Sequence, residues 1–511
     1  MTSGLKTLLR NPRLWFWAAV FVFLYLDLFV LPNVPIWMRG DNSVYLLNAT
    51  RMSEGQVMYR DFFHFVPPGT ELVYRLFFVV FGIRSWIPNL LLIVLGVVLT
   101  WVITWISKQI VPGKAAFLPG LVFLTFVYRR AFDGTHHWCS TLAVMAALAV
   151  VLTDRTYPRL AISGFLCGLA SCFTQTTGAV TIIGLVFYVL WERKRQGAPW
   201  REFCKRAILL FGVFLSTVVV AFATFSRSVG WHRFFESTIV FVIRYYPKDL
   251  RWNTLRVYMT EAPSIHPWYH VPAFAAYLFV HAIIPLVFVL FIVRYSRLAG
   301  ADWQEPWEKL VLLNFVGLAM FVSIIPAPGW VRLGTVSLPA LILLTWFLKG
   351  PGRLCRVFRM SLWGFALALA IGEPLTTQVH QHYLLDAPRG SAAFMSSAEY
   401  NKFRWLQGRT QPGEFLFEAD FPDVYYLLGL RDPGRVPFVT PTGYTRPEQV
   451  QQTIEALEQK HVRLVVWGAN LDIPYENRRE GDHLNPLRKY LREHYRASMS
   501  FELEQVWVRR E

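Results

Sequence analysis

The segment Met38–Gly69, "MRGDNSVYLLNATRMSEGQVMYRDFFHFVPPG", separates two strongly apolar regions of the chain. It carries two aspartates, three arginines and a histidine, and it ends in Pro-Pro-Gly. Apolar runs of about 20 residues, the length needed to cross roughly 30 Å of hydrocarbon, recur through the sequence. The ionisable residues of this segment are therefore expected at a membrane surface, directly after the first crossing.

The composition is that of a polytopic membrane protein. Of the 511 residues, 54% are hydrophobic and only 17% are charged, whereas soluble domains carry roughly 25% charged residues. The net charge of +17 would suit nucleic acid, but basic residues concentrated in cytosolic loops explain it better, and no nucleic-acid partner is expected. The five cysteines follow neither a metal-ligand spacing nor a disulfide pattern.

About eleven segments are predicted to cross the membrane as helices. They are 14–32, 86–106, 115–128, 139–152, 160–174, 176–191, 207–226, 271–293, 310–325, 331–348 and 359–373. The short segment 69–83 is not among them, because Glu71 and Arg75 lie four residues apart, share one helical face and can pair. A short helix with one charged face suits the membrane interface better than the hydrocarbon core.

The charge of the loops predicts the orientation. With 69–83 at the surface, the basic residues fall in cytosolic loops, as the positive-inside rule requires. These residues are Lys6, Arg10, Arg13, Arg193, Lys194, Arg195, Arg201, Lys205, Arg206, Lys349, Arg353, Arg356 and Arg359. The N-terminus is thus predicted in the cytosol, and residues 33–85, 128–138, 227–270 and those after 373 are predicted outside it.

The sequence becomes polar near residue 374 and contains no further span. The runs "EFLFEA" (414–419) and "VRLVVWGA" (462–469) predict buried strands, and "RPEQVQQTIEALEQK" (446–460) predicts an amphipathic helix that starts with a proline. The predicted fold class is an all-α polytopic membrane domain, residues 1–373, followed by a small α/β extracytoplasmic domain, residues 374–511.

Three carboxylates outside the membrane are candidates for chemistry. Asp41 follows the first span by a few residues; it can serve as a helix N-cap, and it is equally well placed to act as a base near the membrane surface. Asp61 and His64 lie in an extended stretch that Pro67 and Pro68 stiffen. A lone histidine among aromatic residues is more often packed than catalytic.

The third carboxylate is Asp133, in the short loop "YRRAFDGTHHW" (128–138). His136 and His137 follow it and could bind metal with it, but no third and fourth ligand follow at zinc-like spacing. Asp27 lies inside the first span, where a charge is expensive in lipid, so its side chain should face protein or water.

An aspartate just after the first span, then a short helix, then "EGQVMYRDFFHFVPPGTELVYRLFFVVFG" (54–82) resembles the membrane glycosyltransferases of the GT-C class. The resemblance is to the branch that contains protein O-mannosyltransferase-like enzymes and the lipid A aminoarabinose transferase. The basic turn "SKQIVPGK" (107–114), the acidic loop 128–138 and the polar C-terminal region fit the same plan. The resemblance covers the whole chain in architecture, and its motifs lie mainly in 38–140.

The resemblance implies transfer of a sugar, a hexose or a pentose, from a polyprenyl-phosphate donor to a lipid, glycan or protein acceptor of the cell envelope. It makes Asp41 the catalytic acidic residue and Asp133 a second acidic residue that shapes the site. Asn42 stands where protein mannosyltransferases have Glu, which argues against that group. Phe65-Val66 precede Pro-Pro where the aminoarabinose branch commonly has Lys, so the phosphate contact must come from elsewhere.

Glycosyl transfer needs a base for the acceptor hydroxyl and cations for the leaving phosphate. The predicted catalytic residues are Asp41, Asp61 and Asp133. The predicted substrate-binding residues are Arg60, His64, Arg129, Arg130, His136, Arg244, Lys248 and Arg251. No metal site is predicted; a divalent cation is compatible with the sequence but not required by it. The protein is expected to span the cytoplasmic (inner) membrane many times.

Other functions compete with this one. A transporter or flippase of lipid-linked sugars would explain the spans and Asp27, but not the charged outer loop or the C-terminal region. A scaffold that assembles envelope machinery through residues 374–511 is a third class. The loop 232–270 is either an interfacial helix pair with cations near anionic headgroups or a flap over the donor, in which a turn at 244–251 converges on a phosphate.

Overall fold

The computed structural model describes residues 12–260, 262, 271–298, 306–472 and 481–510. Lys6, Arg10, the side chain of Arg13 and most of 261–270 lie outside the described residues. Internal contacts divide the chain into two compact units. The first unit comprises Met1–Asp27, Leu91–Phe222 and Thr254–Gln378, and the second comprises Leu28–Leu90, Ala223–Asn253 and Val379–Glu511. The domain boundary at 373/374 stays a prediction.

Helices dominate the described chain. They are α1 (Pro12–Leu28), α2 (Asp41–Ser53), α3 (Gly69–Phe81), α4 (Ile87–Lys108), α5 (Leu118–Val122), α6 (His136–Thr153), α7 (Tyr157–Phe173), α8 (Gln175–Gln196), α9 (Trp200–Val229), α10 (Trp231–Phe235), α11 (Phe241–Arg244), α12 (Val257–Thr260), α13 (Val271–Leu278), α14 (Ile284–Leu298), α15 (Trp307–Ser323), α16 (Trp330–Val336), α17 (Leu338–Phe347), α18 (Arg353–Val379), α19 (Ser397–Gln407), α20 (Asp423–Leu428), α21 (Pro447–Gln459) and α22 (Asn485–His494). The strands are β1 (Phe29–Val30), β2 (Val34–Pro35), β3 (Tyr383–Ala387), β4 (Gly390–Phe394), β5 (Phe417–Glu418), β6 (Leu464–Gly468), β7 (Tyr495–Phe501) and β8 (Glu504–Arg509).

Every segment predicted to span the membrane coincides with one of these helices or with a helical run, because a chain in hydrocarbon must satisfy its backbone hydrogen bonds internally. α5 continues as a π-helix, Phe123–Tyr128, and α13 joins α14 through another, Phe279–Ile283. Within the described residues, six helical segments are long and apolar enough to cross a membrane, or up to seven if α16 and α17, bent by 59°, form one span. The larger count of about eleven stays a prediction.

Small residues let the helices of the first unit approach closely, as is usual between helices in a membrane. A Cβ atom at Gly178 of α8 would lie 2.1 Å from the carbonyl oxygen of Cys167 in α7. α9 and α18 instead present most of their surface outward, and apolar side chains such as Val220 and Leu354 are exposed there, the latter to 86%. Outward apolar faces of this kind suit contact with lipid.

The second unit contains a four-stranded sheet in the order β5-β6-β8-β7. Both predicted strands are present as β5 and β6, and they pair in parallel. β6 is buried along its whole length, as its continuous apolar run indicates. The predicted helix is also present, as α21, with Pro447 in its first turn. Its buried face packs with β6 into one hydrophobic core, in which Val450, Leu457 and Val465 meet.

The predicted helix at 69–83 is α3, and it is amphipathic. Its apolar residues Leu76 and Val79 are 63% and 81% exposed, which suits the predicted interfacial position. The predicted pairing of Glu71 with Arg75 is wrong: the described chain shows no ion pair between them, and Glu71 is fully buried. The carboxyl group points into the second unit, where Asn48 and His64 lie beside it.

Candidate active site

Asp41 is the first residue of α2, directly after the N-cap position. Gly40, at the N-cap position, has a φ of 74°, which glycine adopts without strain. Asp423, at the start of α20, accepts hydrogen bonds from the Gly40 N–H at 3.2 Å and from the Ser43 hydroxyl at 2.5 Å. Asp423 thus fixes the start of α2 through Gly40 and Ser43, the N-cap position is held by glycine and not by Asp41, and the Asp41 side chain is exposed.

The surroundings of Asp41 in the second unit include Tyr444 and the loop after α11. Burial raises the pKa of the Tyr444 hydroxyl well above its usual range, and the neighbouring Tyr246, Asp249 and Asp41 raise it further. Arg251 acts on the same hydroxyl in the opposite direction. Asp41, Asp249 and Arg251 are thus all close enough to Tyr444 to act on it electrostatically, so the structure brings together a carboxylate, a cation and a phenol.

The predicted turn at 244–251 is present. α11 ends at Arg244, and one 3₁₀ turn follows at Tyr246–Lys248, since Pro247 cannot continue the helix. Arg251 donates two hydrogen bonds to Asp249, from Nε to Oδ1 at 2.9 Å and from Nη2 to Oδ2 at 2.8 Å. Its charge is therefore already balanced within the turn, whereas the Arg244 side chain is exposed.

Lys248 reaches the same part of the second unit from the opposite side of the turn. A Cβ atom at Gly443 would lie 3.0 Å from the Lys248 Cδ atom, so the lysine stem packs against the backbone of the segment that carries Tyr444. A residue larger than glycine at position 443 would displace it. This packing fixes the lysine beside the residues that surround Asp41.

Asp61, predicted as catalytic, is engaged in a local turn. Its carboxylate accepts hydrogen bonds from the Val57 N–H at 2.7 Å and from Arg60 Nε and Nη2 at 2.9 and 2.8 Å. The hydrogen bonds from Arg60, together with the one from Val57, lower the pKa of Asp61 to about 2. A carboxylate that holds a proton only in strong acid is a poor general base, so the geometry favours a structural role for Asp61 and Arg60.

His64, predicted to bind substrate, is buried, and its ring contacts that of Tyr45 at 5.3 Å between centroids. Burial lowers the pKa of His64 to about 3 and raises that of Glu71 to about 8. The imidazole and the carboxyl group are therefore both neutral at pH 7, with His64 Nε2 3.4 Å from Glu71 Oε1. Asn48 donates to the same Glu71 oxygen at 3.3 Å, so this neutral cluster joins α2 to α3.

Glu71→Gln is expected to raise the apparent unfolding temperature above pH 7 and to flatten its dependence on pH, because glutamine copies the protonated carboxyl group without an ionisable proton. The pKa of Glu71 rises on folding from 4.5 to about 8. Its stabilising contribution is thus complete below pH 4.5 and is lost as the pH rises to about 8. The unfolding temperatures of wild type and Glu71→Gln are measured from about pH 5 to 9, with a substitution at an exposed position, Glu455→Gln, as the control. Equal pH dependence of wild type and Glu71→Gln would contradict it.

The remaining predicted residues all belong to the first unit: Asp133, Arg129, Arg130 and His136. Asp133 is buried, and its Oδ2 accepts a hydrogen bond from the Thr135 hydroxyl at 2.8 Å. The ring of His136 lies 3.9 Å from that of His137 at the start of α6. Over the ranges that the structure describes, no group of three or more His, Cys, Asp or Glu side chains is arranged to hold a metal ion.

Arg129 and Arg130 are ion-paired inside the first unit. Arg129 Nε lies 2.8 Å from Asp27 Oδ1, and Arg130 binds Glu373. Asp27 therefore faces protein, as predicted for a charge inside a span. Because both guanidinium groups already have carboxylate partners, a substrate phosphate would have to compete with Asp27 and Glu373 for them. Their predicted role in phosphate binding stays a prediction.

Sequence reasoning missed Asp423, Asp249, Tyr444 and Glu373. Asp423 and Glu373 were missed because their partners are far away in the sequence: Asp423 is 383 positions from Gly40, and Glu373 is 243 positions from Arg130. One local signal was available for Asp423, an acidic residue that follows a proline, which is typical of a helix start.

Solved structures with the same fold exist for two membrane proteins. ArnT from Cupriavidus metallidurans, the lipid A aminoarabinose transferase, bound to undecaprenyl phosphate, matches with a TM-score of 0.61 and 14% identity over 98% of both chains. Its apo form gives the same TM-score and identity over 97% of both chains. The archaeal oligosaccharyltransferase AglB from Archaeoglobus fulgidus, in complex with an inhibitory peptide and a dolichol-phosphate, matches with a TM-score of 0.50 and 12% identity, over 90% of this chain and 70% of its own.

No protein-family model matches the sequence, and no curated protein matches it either. ArnT and AglB are both GT-C membrane glycosyltransferases. At so low an identity the likeness establishes the fold alone. The chain has the GT-C fold that its resemblance predicted, and together with its long apolar helices this makes it an integral membrane protein.

Proposed function

We propose that the protein is a membrane glycosyltransferase that moves a sugar from a polyprenyl-phosphate donor to an acceptor outside the cytosol. The observation that carries the proposal is the exposed carboxylate of Asp41 in the first turn of α2, close enough to Tyr444 to act on its hydroxyl. The similar structures add support, because ArnT is bound to undecaprenyl phosphate and AglB is in complex with a dolichol-phosphate. The transferred sugar is a hexose or a pentose, as the sequence resemblance implies.

In this reaction Asp41 accepts the proton of the acceptor hydroxyl while the hydroxyl oxygen attacks the anomeric carbon. The bond from that carbon to the phosphate oxygen breaks, and polyprenyl phosphate leaves with the electron pair. Asp41 must be ionised before the step, and negative charge is favourable at the N-terminus of a helix. Asp41 occupies that position in α2.

The leaving phosphate needs cations aimed at the charge that develops on it. Lys248 and Arg244 are proposed for this role, since both lie on the turn beside Tyr444 and hence near Asp41. Arg251 is proposed to shape the turn, because Asp249 already neutralises it in a bidentate pair. The proposed site therefore lies within the second unit.

The proposed location is the cytoplasmic (inner) membrane, with residues 374–511 as an extracytoplasmic α/β domain. Three basic residues, Arg193, Lys194 and Arg195, close the last turn of α8, and basic residues at the ends of spans favour the cytosolic side. The sheet β5-β6-β8-β7 and its covering helices α21 and α22 support a folded C-terminal region. Donor and acceptor would then meet on the outer surface.

Transfer of a radiolabelled sugar tests the proposal. Purified protein is mixed with labelled polyprenyl-phosphate sugars and an envelope extract, and the label is expected to move from the lipid to the extract, or slowly to water without an acceptor. A flippase or a scaffold would leave the label on the lipid. The same assay in sealed vesicles of both orientations tests the sidedness: transfer to an impermeant acceptor only from the cytosolic face would overturn the proposed topology.

A further inference from the structure

A cleft of about 310 Å³ lies within the second unit, near the lower end of the size range of small-molecule sites. We call it the basic cleft. Its principal lining residues are Arg233, Arg435, Arg446, Tyr59, Phe63 and Gln449. They come from the loop after α2, from α10, from the segment that leads into α21 and from the first turn of α21.

Two guanidinium groups in the basic cleft lack a carboxylate partner. Over the described residues the structure records no ion pair for Arg233 or Arg435, and Arg435 donates to the backbone carbonyl oxygen of Arg60 at 2.6 Å. Burial and the like charges of Arg233 and Arg51 lower the pKa of Arg435, and the charge of Asp61, which is itself paired with Arg60, only partly offsets this. Two cations that repel one another across a cavity favour an anion between them, since hydrogen bonds between ionised partners are the strong ones.

The carboxylates that line the basic cleft do not occupy the position between Arg233 and Arg435. Glu448 pairs with Arg446 at 3.2 Å and is 55% exposed, and Glu236 is 51% exposed, 3.9 Å from His232. Both glutamates therefore stand at the solvent-facing rim. Three arginines against two glutamates leave the lining with a net positive charge.

Aromatic and amide groups complete the lining. The guanidinium of Arg446 lies 5.8 Å from the centroid of the Phe63 ring and 5.4 Å from that of Tyr245. Tyr59 has a φ of 68°, a strained conformation for a residue with a side chain, of the kind that clusters at functional sites. Aromatic rings with a few convergent polar groups such as Gln449 are the lining that a small polar ligand with apolar faces requires.

Shared wall residues connect the basic cleft with the surroundings of Tyr444. A second, smaller cavity shares Phe63, Val436 and Gln449 with it as walls. This second cavity is also lined by Tyr444, whose hydroxyl feels the charge of Asp41. The second cavity measures only about 10 Å³, so the shared walls Phe63, Val436 and Gln449 would have to move for a ligand in the basic cleft to reach the residues around Asp41.

We propose that the basic cleft is the acceptor subsite and that it binds an acidic saccharide. The anionic group, a phosphate or a carboxylate, lies between Arg233 and Arg435, the sugar ring packs on Phe63 and Tyr59, and a more distant hydroxyl reaches Asp41. The role as acceptor site rests on the proposed function. The binding of an acidic sugar does not, because it is measured without turnover.

The test is a titration of the purified full-length protein, at constant ionic strength, with glucose 6-phosphate, glucuronate, glucose and inorganic phosphate. At least one acidic sugar is expected to bind about tenfold or more tightly than glucose, because hydrogen bonds to ionised groups are stronger than neutral ones. The better of the two identifies the anion. Glucose binding as tightly as both acids would overturn the proposal, and inorganic phosphate binding as tightly as glucose 6-phosphate would show an adventitious ion only.

Matched variants locate the binding. The double variant Arg233→Gln/Arg435→Gln is expected to lose about tenfold or more in affinity for the acidic sugar, since it removes both cations. Arg496→Gln is the control, because Arg496 is exposed on β7 and does not line the basic cleft. Unchanged affinity in the double variant, in a protein with the wild-type unfolding temperature, would overturn the proposal.

Turnover separates the two proposals. The double variant should raise the acceptor KM while leaving the donor KM unchanged. If no transfer is found for the wild type but acidic sugars bind as expected, the proposed function fails and the basic cleft remains a saccharide site. If transfer occurs and the double variant does not alter the acceptor KM, the proposed function stands and the acceptor subsite is elsewhere.

Discussion

Asp41→Asn is expected to lower turnover by roughly 10²- to 10⁴-fold, the usual effect of losing a general base. Asparagine has nearly the same shape as aspartate, but its amide cannot accept the proton of the acceptor hydroxyl. The fold should survive, because Asp423 holds the start of α2 through Gly40 and Ser43 and the Asp41 side chain is exposed. The measurement is the initial rate of sugar transfer from the polyprenyl-phosphate donor at saturating donor and acceptor.

The control for this variant is Glu455→Gln, which removes the same charge from an exposed position of α21. It should keep wild-type turnover, and both variants should unfold near the wild-type temperature. Wild-type turnover in a folded Asp41→Asn protein would remove Asp41 from the mechanism. The base would then have to be sought among the other carboxylates near Tyr444, of which Asp249 acts most strongly on its hydroxyl.

The elements that the sequence predicted correctly carry a strong local signal. Apolar runs of spanning length became helices, the run around Leu464 became β6, and Pro447 opened α21. In each case the spacing of apolar residues, or a residue typical of a helix start, within one short stretch of sequence is sufficient to determine the element. The C-terminal sheet order, with β8 between β6 and β7, has no such local signal, because it depends on contacts between separate strands.

The candidate site was predicted less well for a physical reason. Residue type indicated that Asp41, Asp61 and His64 were chemically able to act, but their protonation depends on partners and burial that the sequence does not show. Arg60 and Val57 engage Asp61, and burial keeps His64 neutral. Asp423, which holds the residues on either side of Asp41, lies in a distant part of the chain, so only the folded structure could reveal it.

A buried network of charged side chains stabilises the helix that begins at Asp423. Lys402 of α19 donates to Glu418 Oε1 at 3.1 Å and to Glu504 Oε2 at 2.7 Å. Burial alone would lower the pKa of Lys402, but the charges of Glu418 and Glu504 more than offset this and raise it. Glu418 also accepts a hydrogen bond from the Val424 N–H at 2.9 Å, in the first turn of the helix that begins at Asp423. Burial raises the pKa of Glu418, but the charge of Lys402 opposes this rise, so the lysine stabilises the carboxylate form of the residue that positions this helix.

Lys402→Met is therefore expected to destabilise the protein by about 3–5 kcal/mol, the typical effect of removing one partner of a buried ion pair. The side chains of Lys402 and Glu418 are each only 1% exposed, so water cannot replace the lost cation. Thermal and denaturant unfolding measure the loss. Sugar transfer should decline at lower temperature than in the wild type, because α20 and its contacts with Gly40 and Ser43 loosen together.

Two further variants decide whether the network is responsible. Lys489→Met removes a lysine that is 77% exposed, in a pair 3.9 Å long, and should change stability by only about 0–1 kcal/mol. The double variant Lys402→Met/Glu418→Gln should recover part of the loss, because a glutamine can still accept from the Val424 N–H but needs no counter-charge. Two outcomes would contradict this: a Lys402→Met protein as stable as Lys489→Met, or a double variant less stable than Lys402→Met alone. Either would show that the buried charges of Lys402 and Glu418 do not stabilise one another. The position of Asp423 would then depend on packing.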